Sequence, residues 1–400
     1  MLYAYHGYFS CLSLAIFCAL LDITSSSNRF RIEVDKYDPN AVDAHRRSLH
    51  HVFMEAAAAL NFRDDIVKRD RASASTIHEV VFTVKQSNME ELTRILQDVS
   101  DPASDNYGQY KTFQEIADLT SNPQSQNVIV DYLQSAGAKV ISQSLSGEFI
   151  TARAPVHLWE GIFHTEFYVF HHVRSEDAAV QKVVRAGEYS IPSYLHKHVS
   201  SVLNTIQMPV AVWGNPVIEP VGNTSNPIQA SAVDASHVTC AKLNQLYNID
   251  NNIGSAQSTQ AVFGALKQTF SPSDIALFQK FSNLPLQPVQ TIIGTQSSET
   301  QCMNDHNSCA EASLDLQYIQ GIAQLSPTTF WHTNDFFTGW LLTVANTANP
   351  PLVLSISYGC NENLLSASEF ENFNTQAIKL GVMGVTILAA SGGCVVVAHY

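Results

Sequence analysis

Basic residues are scarce in this chain. Lys and Arg number 22 against 36 Asp and Glu, a formal net charge of −14 over 400 residues. That balance excludes nucleic acid and anionic membrane as main partners, because both are held through clustered positive charge. Long apolar runs are also missing: past residue 21 nothing approaches the about 20 residues of a membrane helix. Repeats and low-complexity tracts are absent. Cysteine is sparse, at seven positions.

What is present begins with an apolar stretch at 9–21 followed by the small, polar Thr24-Ser-Ser-Ser27. It is too short to span a bilayer and reads as a signal-peptide core and cleavage region, although no Lys or Arg precedes Arg29. Residues 1–27 are therefore expected to be removed, and the rest to enter a secretory lumen, to be secreted or kept in a vacuole or lysosome. Cleavage would take Cys11 and Cys18 and leave Cys240, Cys302, Cys309, Cys360 and Cys394. An odd set in an oxidising lumen implies some disulfide use and one leftover thiol.

With 45% hydrophobic residues, the chain can build two cored domains. Residues 75–207 read as one α/β unit. His78-Glu-Val-Val-Phe-Thr-Val84 alternates like a half-buried strand, and 89–99 carries Leu92, Ile95, Leu96 and Val99 at helical spacing. Thr112-Phe-Gln-Glu115 has capping-box form. Asn122-Pro123 marks a second helix start, with Val128, Tyr132 and Leu133 facing inward and Gly137 as its stop. Two short strands meeting near Gly147, a helix over 155–163 and a closing strand over 166–173 complete an order compatible with a ferredoxin-like sandwich.

From 208 to 237 the chain turns to Pro, Gly, Asn, Ser and Thr, a linker composition that holds the glycosylation sequon Asn223-Thr-Ser225. Beyond it, near-continuous apolar runs at 261–266, 289–293, 352–356 and 382–390 read as strands covered on both faces. Helical segments at 273–281, 309–323, 336–347 and 366–380 lie between them. The alternation predicts a parallel, doubly wound sheet.

Glu311 and Asp315 stand four apart on the 309–323 helix, which places both carboxylates on one face. Such a pair can share a proton, since both groups resist ionising together, and so suits acid–base work below neutral pH. Acidic residues fill 36 of 400 positions, and chance alone gives about three such pairs, mostly on solvated faces. Spacing by itself decides nothing here; the surrounding motifs do.

Those motifs resemble the sedolisins, the serine-carboxyl peptidases of kumamolisin and tripeptidyl-peptidase type. Glu311-Ala-Ser-Leu-Asp315-Leu-Gln-Tyr-Ile is similar to their catalytic helix, and Leu243-Asn-Gln-Leu-Tyr-Asn-Ile249 to the start of their catalytic domain. Ala261-Val-Phe-Gly-Ala-Leu266 with Phe270-Ser-Pro-Ser-Asp-Ile-Ala-Leu-Phe278 resembles their first strand and helix. Pro350-Pro-Leu-Val-Leu-Ser-Ile-Ser-Tyr-Gly359 resembles the strand along the substrate cleft. Val99-Ser-Asp-Pro-Ala-Ser-Asp-Asn-Tyr-Gly108 resembles the propeptide signature.

The resemblance implies an α/β, subtilisin-like doubly wound sheet preceded by a ferredoxin-like α+β activation domain, cutting peptides or proteins at acidic pH. It divides the chain into 1–27 (signal), 28–207 (activation propeptide, an intramolecular partner), 208–237 (linker) and 238–400 (partial catalytic domain). Glu311 takes the role of general base for a serine nucleophile, and Asp315 that of its tuning partner. The family's oxyanion Asp would follow Ala389-Ala-Ser-Gly392, where this sequence has Gly393. Its Gly-Thr-Ser nucleophile motif and calcium-binding segment are absent from residues 1–400, so no cofactor is expected in this chain. Gly294-Thr-Gln-Ser297 precedes the Glu and lacks serine directly after threonine, and Ser391 belongs to the oxyanion motif; neither replaces the nucleophile.

The expectation is therefore an incomplete peptidase, inactive as these 400 residues, with 393–400 read as intron or frameshift sequence. A non-enzymatic alternative has the propiece inhibit, or help to fold, an intact relative. Cys302-Met-Asn-Asp-His-Asn-Ser-Cys309 offers only three good metal ligands, and a disulfide-closed loop fits better. Ten of the fifteen histidines fall between His45 and His198, which suggests acid-triggered loosening of the propiece beside the plainer reading of surface histidines.

Overall fold

The computed structural model describes residues 51–390 apart from 59, 61–62, 173–181, 210–237, 250–252, 334–336 and 361. The expected signal segment, residues 210–237 of the linker with Asn223, and the segment 393–400 lie outside the described residues. The chain divides into two compact units, the first made of residues 1–211 and 360–379, the second of 212–359 and 380–400. No helix among the described residues is long and apolar enough to cross a membrane.

In the first unit β1 (His51–Ala56), β2 (Ile66–Arg71) and β3 (Ile77–Val84) are followed by α1 (Met89–Ser100), α2 (Phe113–Thr120) and α3 (Pro123–Ser135). Then come β4 (Lys139–Gln143), β5 (Phe149–Pro155), α4 (Val156–Phe163), β6 (Phe167–His172), β7 (Lys182–Ala186), β8 (Glu188–Pro192) and β9 (Val199–Leu203). The main sheet has the order β4-β5-β3-β9 with every pair antiparallel, and helices join β3 to β4 and β5 to β9. This is the split βαββαβ arrangement the sequence suggested.

Local chemistry explains these elements. The Thr112 hydroxyl accepts the Glu115 N–H at 3.3 Å while the Glu115 carboxylate accepts the Thr112 N–H at 2.8 Å, a complete capping box on α2. Asn122 caps α3 by accepting the Ser125 N–H at 3.1 Å, and Gly137 ends it at φ +89°, a conformation that side chains resist. The 99–108 signature is a loop folded onto Asp98, whose carboxylate accepts from Ser104 Oγ and Asn106 Nδ2. Phe82, Ile129, Leu133, Ile150, Trp159, Phe163 and Val202 form the core.

Two expectations need correction. Residues 166–173 do not close the main sheet: β6 instead sits between β2 and β7 in a separate three-stranded sheet, and β9 is the fourth strand. β9 carries two serines and no clean apolar alternation. The buried Ser201 is tolerated there because its hydroxyl donates to Thr83 Oγ1 at 3.1 Å. On α3 the fully inward positions are Ser125, Ile129 and Leu133, whereas Val128 and Tyr132 are half-buried at the margin.

Residues 360–379 add a largely polar buried face to this unit. Lys379 Nζ donates to Glu148 Oε2 at 2.5 Å and to Gln86 Oε1 at 3.0 Å, and Gln376 Nε2 donates to Glu148 Oε1 at 3.0 Å. Both charged side chains are at most 5% exposed, so each is the other's main compensation. Lys379→Met should destabilise the first unit by roughly 3–5 kcal/mol in urea unfolding, because it strands a buried carboxylate. The double change with Glu148→Leu should recover much of that loss.

Among the buried and half-buried histidines of this unit, two have lowered pKa values. His78 Nε2 lies 2.8 Å from the Asn204 carbonyl, and burial lowers its pKa to about 4. Burial also lowers that of His198, whose Nδ1 pairs with Ser125 Oγ at 2.8 Å. A group with a depressed folded pKa contributes stability that is present above the unfolded value of about 6.5 and lost as pH falls through the folded one. His78→Gln should therefore lose less unfolding free energy between pH 7 and pH 4 than the unaltered chain.

The second unit runs α5 (Cys240–Tyr247), β10 (Gln260–Gly264), α6 (Pro272–Phe281), β11 (Thr291–Ile293), α7 (Glu299–Asn304), α8 (Asn307–Ile322) and β12 (Thr328–His332). After these come α9 (Phe337–Ala345), β13 (Val353–Ile356) and β14 (Thr386–Ala389); the helix between the last two strands, α10 (Ala367–Val382), has residues 367–379 in the first unit. Five parallel strands stand in the order β11-β12-β10-β13-β14. The chain winds from β10 first to one side and then to the other, so the molecule is a mixed α/β protein with a parallel sheet. β12 is a strand the apolar-run criterion passed over. Gly294, at φ +79°, leaves β11 so close to β12 that an added Cβ would meet the His332 carbonyl oxygen at 1.9 Å.

Candidate active site

Helix α8 is fixed at its N-terminal end and along one side. Ala312 and Leu316 pack into a core with Val262, Phe270, Ile275 and Phe330. At the N-terminal end the Cys302–Cys309 disulfide ties α7 to α8, and Gln268 Nε2 donates to the Asn307 carbonyl at 2.7 Å. The two thiols are thus committed to each other, as a closed loop rather than metal ligands. Among the described residues no cluster of three or more His, Cys, Asp or Glu is placed to hold a metal ion.

The same helix carries Glu311 one position before Ala312 and Asp315 one before Leu316, so the acids border the packed face. Glu311 is 8% exposed. Burial pushes its pKa up to about 7, helped by the charge of Asp315. Asp315 is raised to about 6, also by burial, and is held back by a hydrogen bond from Ser357 Oγ to its Oδ1 at 2.8 Å. The other oxygen, Oδ2, is buried and has no hydrogen-bond partner among the described residues.

Ser357 and Tyr358 directly follow the carboxyl end of β13, beside the central β10. That is where the winding direction changes and where open α/β sheets take their ligands. Tyr358 is 3% exposed, and its hydroxyl is kept protonated by burial first and by the charges of Glu311 and Asp315 next, against the Ala265 backbone. The structure thus brings together both acids singled out in the sequence and adds two residues to which sequence reading gave no role. At mildly acidic pH the pair holds one proton between two carboxyls, and can both take up and return it.

Raised folded pKa values carry a stability sign. The contribution of Glu311 and Asp315 is full below their ordinary values of 4.5 and 3.8 and is lost as pH climbs through about 7 and about 6 respectively. The second unit should accordingly unfold at higher temperature at pH 5 than at pH 8. Joint Glu311→Gln and Asp315→Asn changes should flatten that difference in a calorimetric scan.

Residues 64–208 match the family model described as "Pro-kumamolisin, activation domain". Tripeptidyl-peptidase 1 from Homo sapiens is 28% identical over 345 residues, covering 82% of this chain and 58% of that protein. Physarolisin from Physarum polycephalum is 26% identical over 363 residues, covering 86% of this chain and 59% of its own length. The bovine tripeptidyl-peptidase 1 is 26% identical over 345 residues. The chain therefore spans under two thirds of the relatives it matches, and the alignments extend well past residue 208. The match to a pro-kumamolisin activation domain and the likeness to tripeptidyl-peptidase 1 and physarolisin, which continues beyond that domain, make this chain similar to sedolisin-type peptidases over most of its length.

Proposed function

We propose that the second unit is the first part of a subtilisin-like catalytic domain of an acid serine-carboxyl peptidase, with Glu311 as general base and Asp315 as the acid that tunes it. The observation that carries this reading is the pair itself: a buried and a half-buried carboxyl on one helix face, both raised into the mildly acidic range, at the carboxyl edge of a parallel sheet. A serine hydroxyl is activated by a base placed to take its proton, and a carboxylate is strong enough for that only when its pKa is raised. The relatives' names support peptide substrates, with removal of tripeptides or internal cleavage as the two forms of the reaction.

In this reading residues 28–207 form the intramolecular propeptide, 208–237 the cleavable linker and 238–400 the catalytic portion. The tuning of the pair supports an acidic lumen, vacuolar, lysosomal or extracellular, as the working compartment. Residues 1–400 contain no Gly-Thr-Ser motif after the pair and carry Gly393 at the oxyanion position. A polypeptide of these residues alone then lacks two groups whose removal costs several powers of ten in rate. The activation domain, with its own sheet and core, supports a second reading, in which it occupies the cleft of an intact relative as an inhibitor.

The deciding experiment assays the 400-residue chain, and the same chain extended by a segment supplying Ser-Gly-Asp and Gly-Thr-Ser, on a peptide between pH 4 and 6.5. The extended protein should cleave and lose at least about a thousandfold on Glu311→Gln, while the 400-residue form stays silent. Cleavage that ignores Glu311→Gln would remove the base assignment. Slowing of an active sedolisin by the 400-residue form would favour the inhibitor reading.

A further inference from the structure

We propose that Ser357 is a positioning residue, whose hydroxyl, donated to Asp315 Oδ1, locks that carboxylate and decides which of the two acids carries the proton they share. The inference rests on the reading of Glu311 and Asp315 as an acid–base pair, and adds to it a residue that acts through Asp315. Ser357 lies 42 positions after Asp315, at the end of β13, and reaches α8 with a 2.8 Å hydrogen bond. Among the described residues this is the side-chain hydrogen bond that Asp315 has, and Glu311 receives none.

The asymmetry has a direct consequence. A carboxylate that accepts a hydrogen bond ionises more readily than one that does not. Asp315 therefore gives up its proton first, and its charge then keeps the neighbouring Glu311 protonated to a higher pH. The titratable groups that act on one another here are Glu311 and Asp315 on α8 and Tyr358 beside β13; the tyrosine stays neutral throughout. Without the serine hydroxyl the two carboxyls would be near equals and the proton would be spread over both. A base of undefined identity is a poor one, because only the acid facing the nucleophile can use it.

The test follows the carboxyl carbons of 13C-labelled Glu and Asp by NMR in the 400-residue chain, with Glu311→Gln and Asp315→Asn for assignment. Ser357→Thr keeps the hydroxyl, whereas Ser357→Val has the same shape without it. The valine variant should raise the Asp315 midpoint by about one unit and close the gap to Glu311. The threonine variant should keep the gap.

Equal titration curves in both variants, or a gap lost in threonine as much as in valine, would overturn the proposal. Ser357→Ala serves as a third variant if valine disturbs packing. The readout needs no turnover, so it separates two failures. A closed gap in a protein whose hydrolysis ignores Glu311 leaves the positioning role and removes the peptidase reading. An unchanged gap with Glu311-dependent hydrolysis does the reverse.

Discussion

The second unit is organised around the burial of two like charges that cannot both exist there. Glu311 and Asp315 sit beside Ala312 and Leu316, the positions by which α8 packs on β10 and α6, so the fit of the helix against the sheet is also what desolvates the acids. Moving the helix outward would rehydrate them and return them to ordinary carboxylates. The core, the helix and the acid–base behaviour are in this sense one construction, since burial is the largest cause of both raised pKa values.

The first unit handles buried polarity differently. Glu148 and Lys379 are paired and supplied with amide partners, so two opposite charges compensate each other. His78 and His198 are held neutral instead. One unit thus favours acid through its carboxyl pair while the other carries histidines that resist it, and the two respond in opposite directions to the same change of pH.

Much of this was legible in the sequence where a single segment contained the whole signal. The capping box at Thr112 and Glu115, the Asn122-Pro123 start, Gly137 and the apolar runs of β10 and β13 are local statements, and the structure repeats them. β12 escaped because Thr328-Thr-Phe-Trp-His332 is a β-branched and aromatic run rather than an aliphatic one, though Pro327 bounds it as a strand should be bounded. β9 escaped because its serines are satisfied by a distant strand, and β6 misled because its alternation does not say which sheet it joins. At the site, the spacing of Glu311 and Asp315 could be read directly. The part played by Ser357 could not, since only the parallel register of β13 against β10 carries it to α8.

The disulfide between Cys302 and Cys309 has a consequence for where this helix can form. Cys309 stands two residues before Glu311, so the covalent tie reaches into the same helical turn as the acid. In a reducing cytosol that tie would be open, and the first turn of α8 would rest on the Asn307 carbonyl and its neighbours alone. In an oxidising compartment it is closed whatever the pH. On the function proposed above, oxidation would then precede protonation: the helix would take the geometry of its acid pair from a redox step and the charge state of that pair from a separate, acidic one.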